Sequence, residues 1–139
     1  MADTTDKKLH CVVVTPETTV LDVMVDFVSV PLYDGEMGIL PGRAPVVARL
    51  GYGELRARTG ANESRYYIDG GFLQVQRNVV TVLTARSIPV SALDAAAAQR
   101  ALDQANAEAP TTPEGLAAKT TSLARARAQI RLIRRAANA

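Results

Sequence analysis

Between Leu9 and Ile88 the apolar residues come in short runs: LHCVVV, VLDVMVDFVSV, PVVARL, ELRAR, SRYYI, GFLQV and NVVTVLTA. Each is too short for a typical helix, and several alternate apolar with polar positions, as half-buried strands do. The segments between them, DGEMG, LPGRAP, GYG, TGAN, DGG and RN, hold the Gly, Pro, Asn and Asp that tight turns demand. Strands at this spacing, with no helices between them, predict an antiparallel all-β sandwich or flattened barrel over residues 1–88. In VLDVMVDFVSV, Val23, Val25 and Phe27 fall on one face and Asp22, Met24 and Asp26 on the other. A strand of that kind has one face toward water or a partner.

After Ile88 the period changes. Ser91 and Asp94 fit a capping box, and residues 92–109 are rich in alanine without Gly or Pro, which predicts a helix. Pro110 to Pro113 interrupts it. Thr112 is placed to cap a second helix with Pro113 in its first turn, where a missing N–H costs nothing, and the pattern carries that helix to Ala137. Leu116, Leu123, Ile130 and Ala137 recur every seven residues, with Ala126 and Ile133 at companion positions and Lys119 weakening the start. This narrow seam predicts a helical hairpin over residues 89–139. Alanine lets the helices approach closely but buries little area, so the hairpin is expected to be marginal by itself.

Composition sharpens the division. The chain has 139 residues with 16 basic and 14 acidic groups, a net charge of +2. The balance is uneven, with 9 basic and 10 acidic groups up to Ile88 and 7 and 4 after it. All six aromatic residues lie in the first part. One cysteine, Cys11, and one histidine, His10, leave no soft ligand set for a structural zinc and no material for a disulfide. As neighbours on a strand they point to opposite faces, so they make no catalytic dyad, and Cys11 reads as a buried small apolar residue. No apolar run reaches membrane-spanning length, and the opening MADTTDKK lacks the character of a targeting peptide.

Two features carry candidate chemistry. The tract DGEMGILPGRAP brings Asp34 and Glu36 close in sequence, but no second constellation accompanies them, and a solvated loop is the favoured reading over an acid–base pair. The glycines match neither phosphate-binding spacing. The last 15 residues hold Arg125, Arg127, Arg131, Arg134 and Arg135 and no acid. At 100° per residue the last four share a sector of about 100° beside the seam. Such a basic stripe suits an acidic protein surface, an anionic membrane or nucleic acid, and without aromatic residues it is poorly suited to single-stranded nucleic acid.

The stretch GEMGILPGRAPVVARLGYGELR, Gly35 to Arg56, resembles the signature of the epsilon subunit of F-type rotary ATP synthases, and YIDGGFLQVQRNVVTVLTA, Tyr67 to Ala85, resembles its second segment. The hairpin ending in LARARAQIRLIRRA is similar to that subunit's C-terminal domain. The resemblance implies a non-catalytic central-stalk rotor subunit of a proton- or sodium-translocating synthase. Its sandwich would contact the gamma subunit and the polar loops of the c-ring. Its hairpin would inhibit ATP hydrolysis by reaching the alpha and beta catalytic subunits, and the arginine stripe suits an acidic surface there. The resemblance also implies a peripheral protein on the cytoplasmic face of a bacterial inner membrane, or on a thylakoid membrane, bound only through the complex and without nucleic acid. The c-ring-facing loop would hold Tyr33, Asp34, Glu36 and Arg43, the last in place of the family's usual histidine. Some members bind ATP through an [IL]DxxRA motif. Here Leu93, Asp94, Ala97 and Ala98 match it with Ala97 in place of arginine, so ATP binding is expected to be weak or absent and no other cofactor is implied. The alternative from the residues alone is an RNA- or anionic-surface-binding adaptor using the arginine helix.

Overall fold

A computed structural model describes residues 8–138. Eight strands are followed by two helices: β1 (Leu9–Val14), β2 (Thr19–Val25), β3 (Phe27–Leu32), β4 (Gly35–Ile39), β5 (Val46–Thr59), β6 (Asn62–Gln76), β7 (Val79–Leu83), β8 (Ser87–Pro89), α1 (Ala95–Ala107) and α2 (Pro113–Ala137). The chain divides between Pro89 and Val90 into a strand unit and a helical unit, each compact.

In the strand unit the order is β2-β1-β7-β6-β5-β3-β4, with β8 paired to β6. Every pairing is antiparallel except β1 with β7. The sheet folds over on itself, since β1 touches β3 and β2 touches β5 although neither pair is adjacent in the sheet. That gives the predicted sandwich. Leu9, Cys11 and Val13 of β1 meet Val28 and Val30 of β3, Leu55 of β5, Ile68 and Leu73 of β6, and Val80 and Val82 of β7 in a single buried cluster. Cys11 is one of them, and burial pushes its thiol pKa up to about 12, so it is packing and not a nucleophile.

Three sequence expectations are corrected. GYG and DGG are not turns. PVVARL and ELRAR merge into the 14-residue β5, and SRYYI and GFLQV into the 15-residue β6. Their glycines sit where backbones nearly touch. A Cβ on Gly51 would lie 2.7 Å from the Leu32 carbonyl oxygen, and one on Gly71, at φ +105°, only 1.9 Å from that of Leu83. Conversely, VLDVMVDFVSV is not one strand: the chain bends at Asp26, so Val23 and Val25 belong to β2 and Phe27 to β3. Finally, only Asp34 of DGEMG stays in a turn, because Gly35–Ile39 forms the edge strand β4 against β3.

Asp26 fixes its bend. Its carboxylate accepts from the Gly60 N–H at 2.8 Å and pairs with Lys8 Nζ at 2.7 Å, and its own N–H donates to the Arg58 carbonyl at 2.8 Å. The Lys8 hydrogen bond, then that of Gly60, holds its carboxyl below the ordinary value of 3.8. A depressed folded-state pKa adds stability above the unfolded value and loses it as pH falls through the folded one. The thermal midpoint of wild type should therefore exceed that of Asp26→Asn at neutral pH, and the gap should close on acidification below 3.8. A gap independent of pH would remove the carboxylate from this role.

Candidate functional site

The tract from Tyr33 to Pro45 is split by β4. Tyr33 is 66% exposed, its N–H donates to the Arg49 carbonyl at 2.9 Å, and the Arg49 guanidinium lies 4.2 Å from its ring centroid. Asp34 is exposed in the adjoining turn, and Glu36 is exposed on β4 opposite Pro31. Arg43 lies beyond the other end of β4, in the connection to β5. Five strand residues separate those ends by about 13 Å. The four residues expected on one loop thus form a cluster of three, with Arg43 apart. Around Arg43 the chain is held by the Gly42 N–H, which donates to Asn78 Oδ1 at 2.8 Å. Asn78 belongs to the two-residue turn between β6 and β7, where both Arg77 (φ 53°) and Asn78 (φ 62°) are left-handed, as a tight hairpin requires. A cleft of about 420 Å³ opens here between Phe27, Leu40, Pro41 and Arg43. The Arg58 guanidinium lies 4.8 Å from the Phe27 ring centroid.

In the helical unit α1 begins later than the capping box implies. Val90–Ala92 is a short 3-10 turn that packs on α2, and Asp94 is the cap, its Oδ1 accepting from the N–H groups of Ala96 (3.0 Å) and Ala97 (3.2 Å). The acidic member of the would-be ATP motif thus has a structural task. Thr112 caps α2 as expected, accepting from Gly115 N–H at 3.0 Å with Pro113 in the first turn.

The seam between the helices is shorter than the heptad pattern implies. Ala98 and Ala105 of α1 and Ala126 of α2 are buried, and Leu123, Ile130 and Ile133 are half-buried. Leu116 is 57% exposed and Ala137 is exposed. The cause is a mismatch of length: 13 residues of α1 span about 20 Å and 25 of α2 about 38 Å. Lys119 marks the level at which α1 stops, since its Nζ donates to the Glu108 carbonyl at 2.8 Å. Leu116 lies one turn before that level, and Ala137 outruns α1 at the other end. Lys119, read as a flaw in the seam, therefore satisfies a carbonyl at the helix end. Ala128 and Leu132 are buried on roughly the opposite side of α2, which the heptad pattern missed.

All five arginines are exposed. Arg127, Arg131 and Arg134 line a groove of about 410 Å³ with Ile130, facing Gln99 and Leu102 of α1. Its cations all come from α2. Ala97, where the ATP motif has arginine, brings none, and Arg100 is not among the groove's lining residues. Among the described residues no group of three or more His, Cys, Asp or Glu is placed to hold a metal.

Among the described residues, the geometry defines a β-sandwich unit and a helical unit and no assembled catalytic centre. A sequence model of the ATP synthase delta/epsilon chain β-sandwich domain matches residues 8–90. The ATP synthase epsilon chain of Rhodopirellula baltica is 49% identical over 126 residues, covering 91% of this chain and 98% of that one. The chain belongs to the ATP synthase delta/epsilon family, among its epsilon chains, and is a non-catalytic subunit. Its fold is shared by a chain in the mitochondrial ATP synthase of Euglena gracilis, solved as OSCP, F1 and c-ring (TM-score 0.78, 23% identity, 96% of this chain and 82% of that one). It is shared also by a chain in the central stalk and c-ring of the Tetrahymena thermophila enzyme (TM-score 0.67, 18% identity, 94% and 96%). These likenesses lend the RNA-adaptor reading no support. The protein is peripheral to a membrane-embedded complex, and none of its described helices is long and apolar enough to cross a bilayer.

Because Asp94 caps α1, Asp94→Ala should weaken the start of that helix by about 1 kcal/mol. Amide exchange at Ala96 and Ala97 should accelerate roughly fivefold in the absence of any nucleotide. Unchanged exchange would mean that the cap contributes nothing.

Proposed function

We propose that this chain is a rotor element with two separate tasks. The sandwich joins the gamma subunit to the polar loops of the c-ring, coupling ion flow to ATP synthesis at the cytoplasmic face of a bacterial membrane. Asp34 and Glu36 are the groups we assign to the c-ring contact, with Tyr33 at its corner. Arg43, beyond the far end of β4, falls outside it. The hairpin restrains ATP hydrolysis by laying Arg127, Arg131 and Arg134 against an acidic surface of the catalytic subunits. What carries the regulatory half is the set of exposed arginines on an Ala-seamed helix longer than its partner. A thin seam makes release of α2 inexpensive, and the cations of Arg127, Arg131 and Arg134 favour whichever state brings them to carboxylates.

Cutting the chain after Pro89 in the assembled complex tests this, because the strand unit then keeps β8 and its pairing with β6. Hydrolysis should rise while proton pumping persists. Unchanged hydrolysis would remove the regulatory task, and lost pumping would show that the hairpin is needed for coupling.

The groove of the helical unit takes cations from one helix only, so ATP is not expected as a ligand. Isothermal titration of the full chain with Mg-ATP should detect no micromolar binding; a micromolar Kd would overturn this reading.

A further inference from the structure

Lys119 is the single lysine after Ile88, where the other six basic residues are arginines. It is not among the residues that line the arginine groove. From the second turn of α2 its Nζ donates to the Glu108 carbonyl at 2.8 Å, and Glu108 is the residue on which α1 ends. That end lacks the usual closures. Its last turn holds no basic residue, and Glu108 leaves the helix extended (φ −71°, ψ 138°) where a left-handed residue would close the final carbonyls. The terminal carbonyls of a helix have no partners within it and carry the negative pole of its dipole. A cation from α2 therefore supplies what the sequence of α1 omits.

We infer that Lys119 is the latch of the helical unit, a cap for α1 that α2 delivers only while the two helices lie together. The inference rests on the regulatory task proposed above and adds the residue that sets how much of the hairpin stays closed. Asp94 and Thr112 each cap their own helix through neighbours within one turn, so those two caps survive separation. The Lys119 cap does not, because it joins residues 11 apart in sequence and on different elements. Separating the helices thus uncaps α1 at the moment α2 leaves. A free helix of 13 residues is marginal in water, so α1 then frays from Glu108 backward. Closure of the hairpin and order at the end of α1 are in this way one equilibrium, and the ammonium biases it toward the closed side. The half-buried position of Lys119 lets its aliphatic stem lie along the unit while the charge reaches the carbonyl.

The test is amide exchange of the full chain, followed over residues 104–108. Lys119→Met keeps the stem and loses the ammonium, so exchange there should accelerate about fivefold. Exchange at Ala96 and Ala97, which Asp94 caps, should change less than about twofold. Lys119→Arg keeps a cationic donor and should hold residues 104–108 within about twofold of wild type. Wild-type exchange in Lys119→Met would overturn the latch, and so would equal acceleration in Lys119→Arg, which would assign the effect to the stem. Hydrolysis by the assembled complex separates this inference from the reading beneath it. With more of α2 released, Lys119→Met should deepen inhibition about fivefold. If cutting after Pro89 leaves hydrolysis unchanged while exchange still accelerates in Lys119→Met, the regulatory task fails and the latch stands. If the cut raises hydrolysis but Lys119→Met alters neither exchange nor inhibition, the latch fails and the regulatory task stands.

Discussion

Strands β5 and β6 each serve both layers of the sandwich, and the rest of the strand unit depends on how closely their backbones can pass their neighbours. At Gly51 and Gly71 the approach leaves no room for a side chain: even a methyl group would overlap a carbonyl of β3 or β7. The cost of glycine within a strand, about 0.5–1 kcal/mol in conformational entropy, is accepted there because the fold-over that closes the core requires it. Everything outward-facing inherits its position from that bend. Arg49, Phe72 and Leu83 come into line because the N-terminal half of β5 pairs with the C-terminal half of β6, which in turn pairs with β7.

The two units are stabilised differently, and the difference suits the tasks proposed for them. The strand unit encloses a branched aliphatic core from at least six strands, with side chains at or near zero exposure. Each such residue contributes about 1.5–3 kcal/mol. A body of that kind transmits load without yielding. The helical unit has a thinner apolar layer, buried alanines with Leu132 and the half-buried Leu123, Ile130 and Ile133, supplemented by two side-chain caps and the Lys119 contact to Glu108. The caps and the lysine contact are each worth about 1 kcal/mol or less. Among the described residues, a densely packed strand unit and a lightly held helical unit are therefore present with no assembled catalytic group.

Much was legible in the residues. Alternating apolar positions marked the strands, and the change of period after Ile88 marked the helices. Thr112 followed by Pro113 gave the start of α2 to the residue, because an N-cap is a local interaction whose partners lie within one turn. The failures share a different cause. GYG and DGG have turn composition, yet there glycine answers to a neighbouring strand far away in sequence. Asp26 looks like an ordinary polar position in an alternating strand, yet its contacts with Lys8 and Gly60 make it a corner. DGEMG looks like a loop until β3 offers it hydrogen bonds. In the hairpin, the heptad spacing was real, but only packing length decides which of its positions find a partner.

By itself, the sequence determined the kind of protein: a β unit followed by an alanine-rich hairpin, lacking the His and Cys that metal or triad chemistry needs, and bearing a cationic helix end. Those properties follow from composition, local hydrogen bonding and periodicity, which act over a few residues. Only the tertiary structure decided which of the exposed residues stand together. It separated Arg43 from Tyr33, Asp34 and Glu36, gave Asp94 and Lys119 to helix ends, and aligned Val14, Leu83, Phe72 and Arg49 from distant segments across neighbouring strands. Such groupings depend on strand register and backbone approach, which are set by pairing between segments up to dozens of residues apart and leave no periodic trace in the chain.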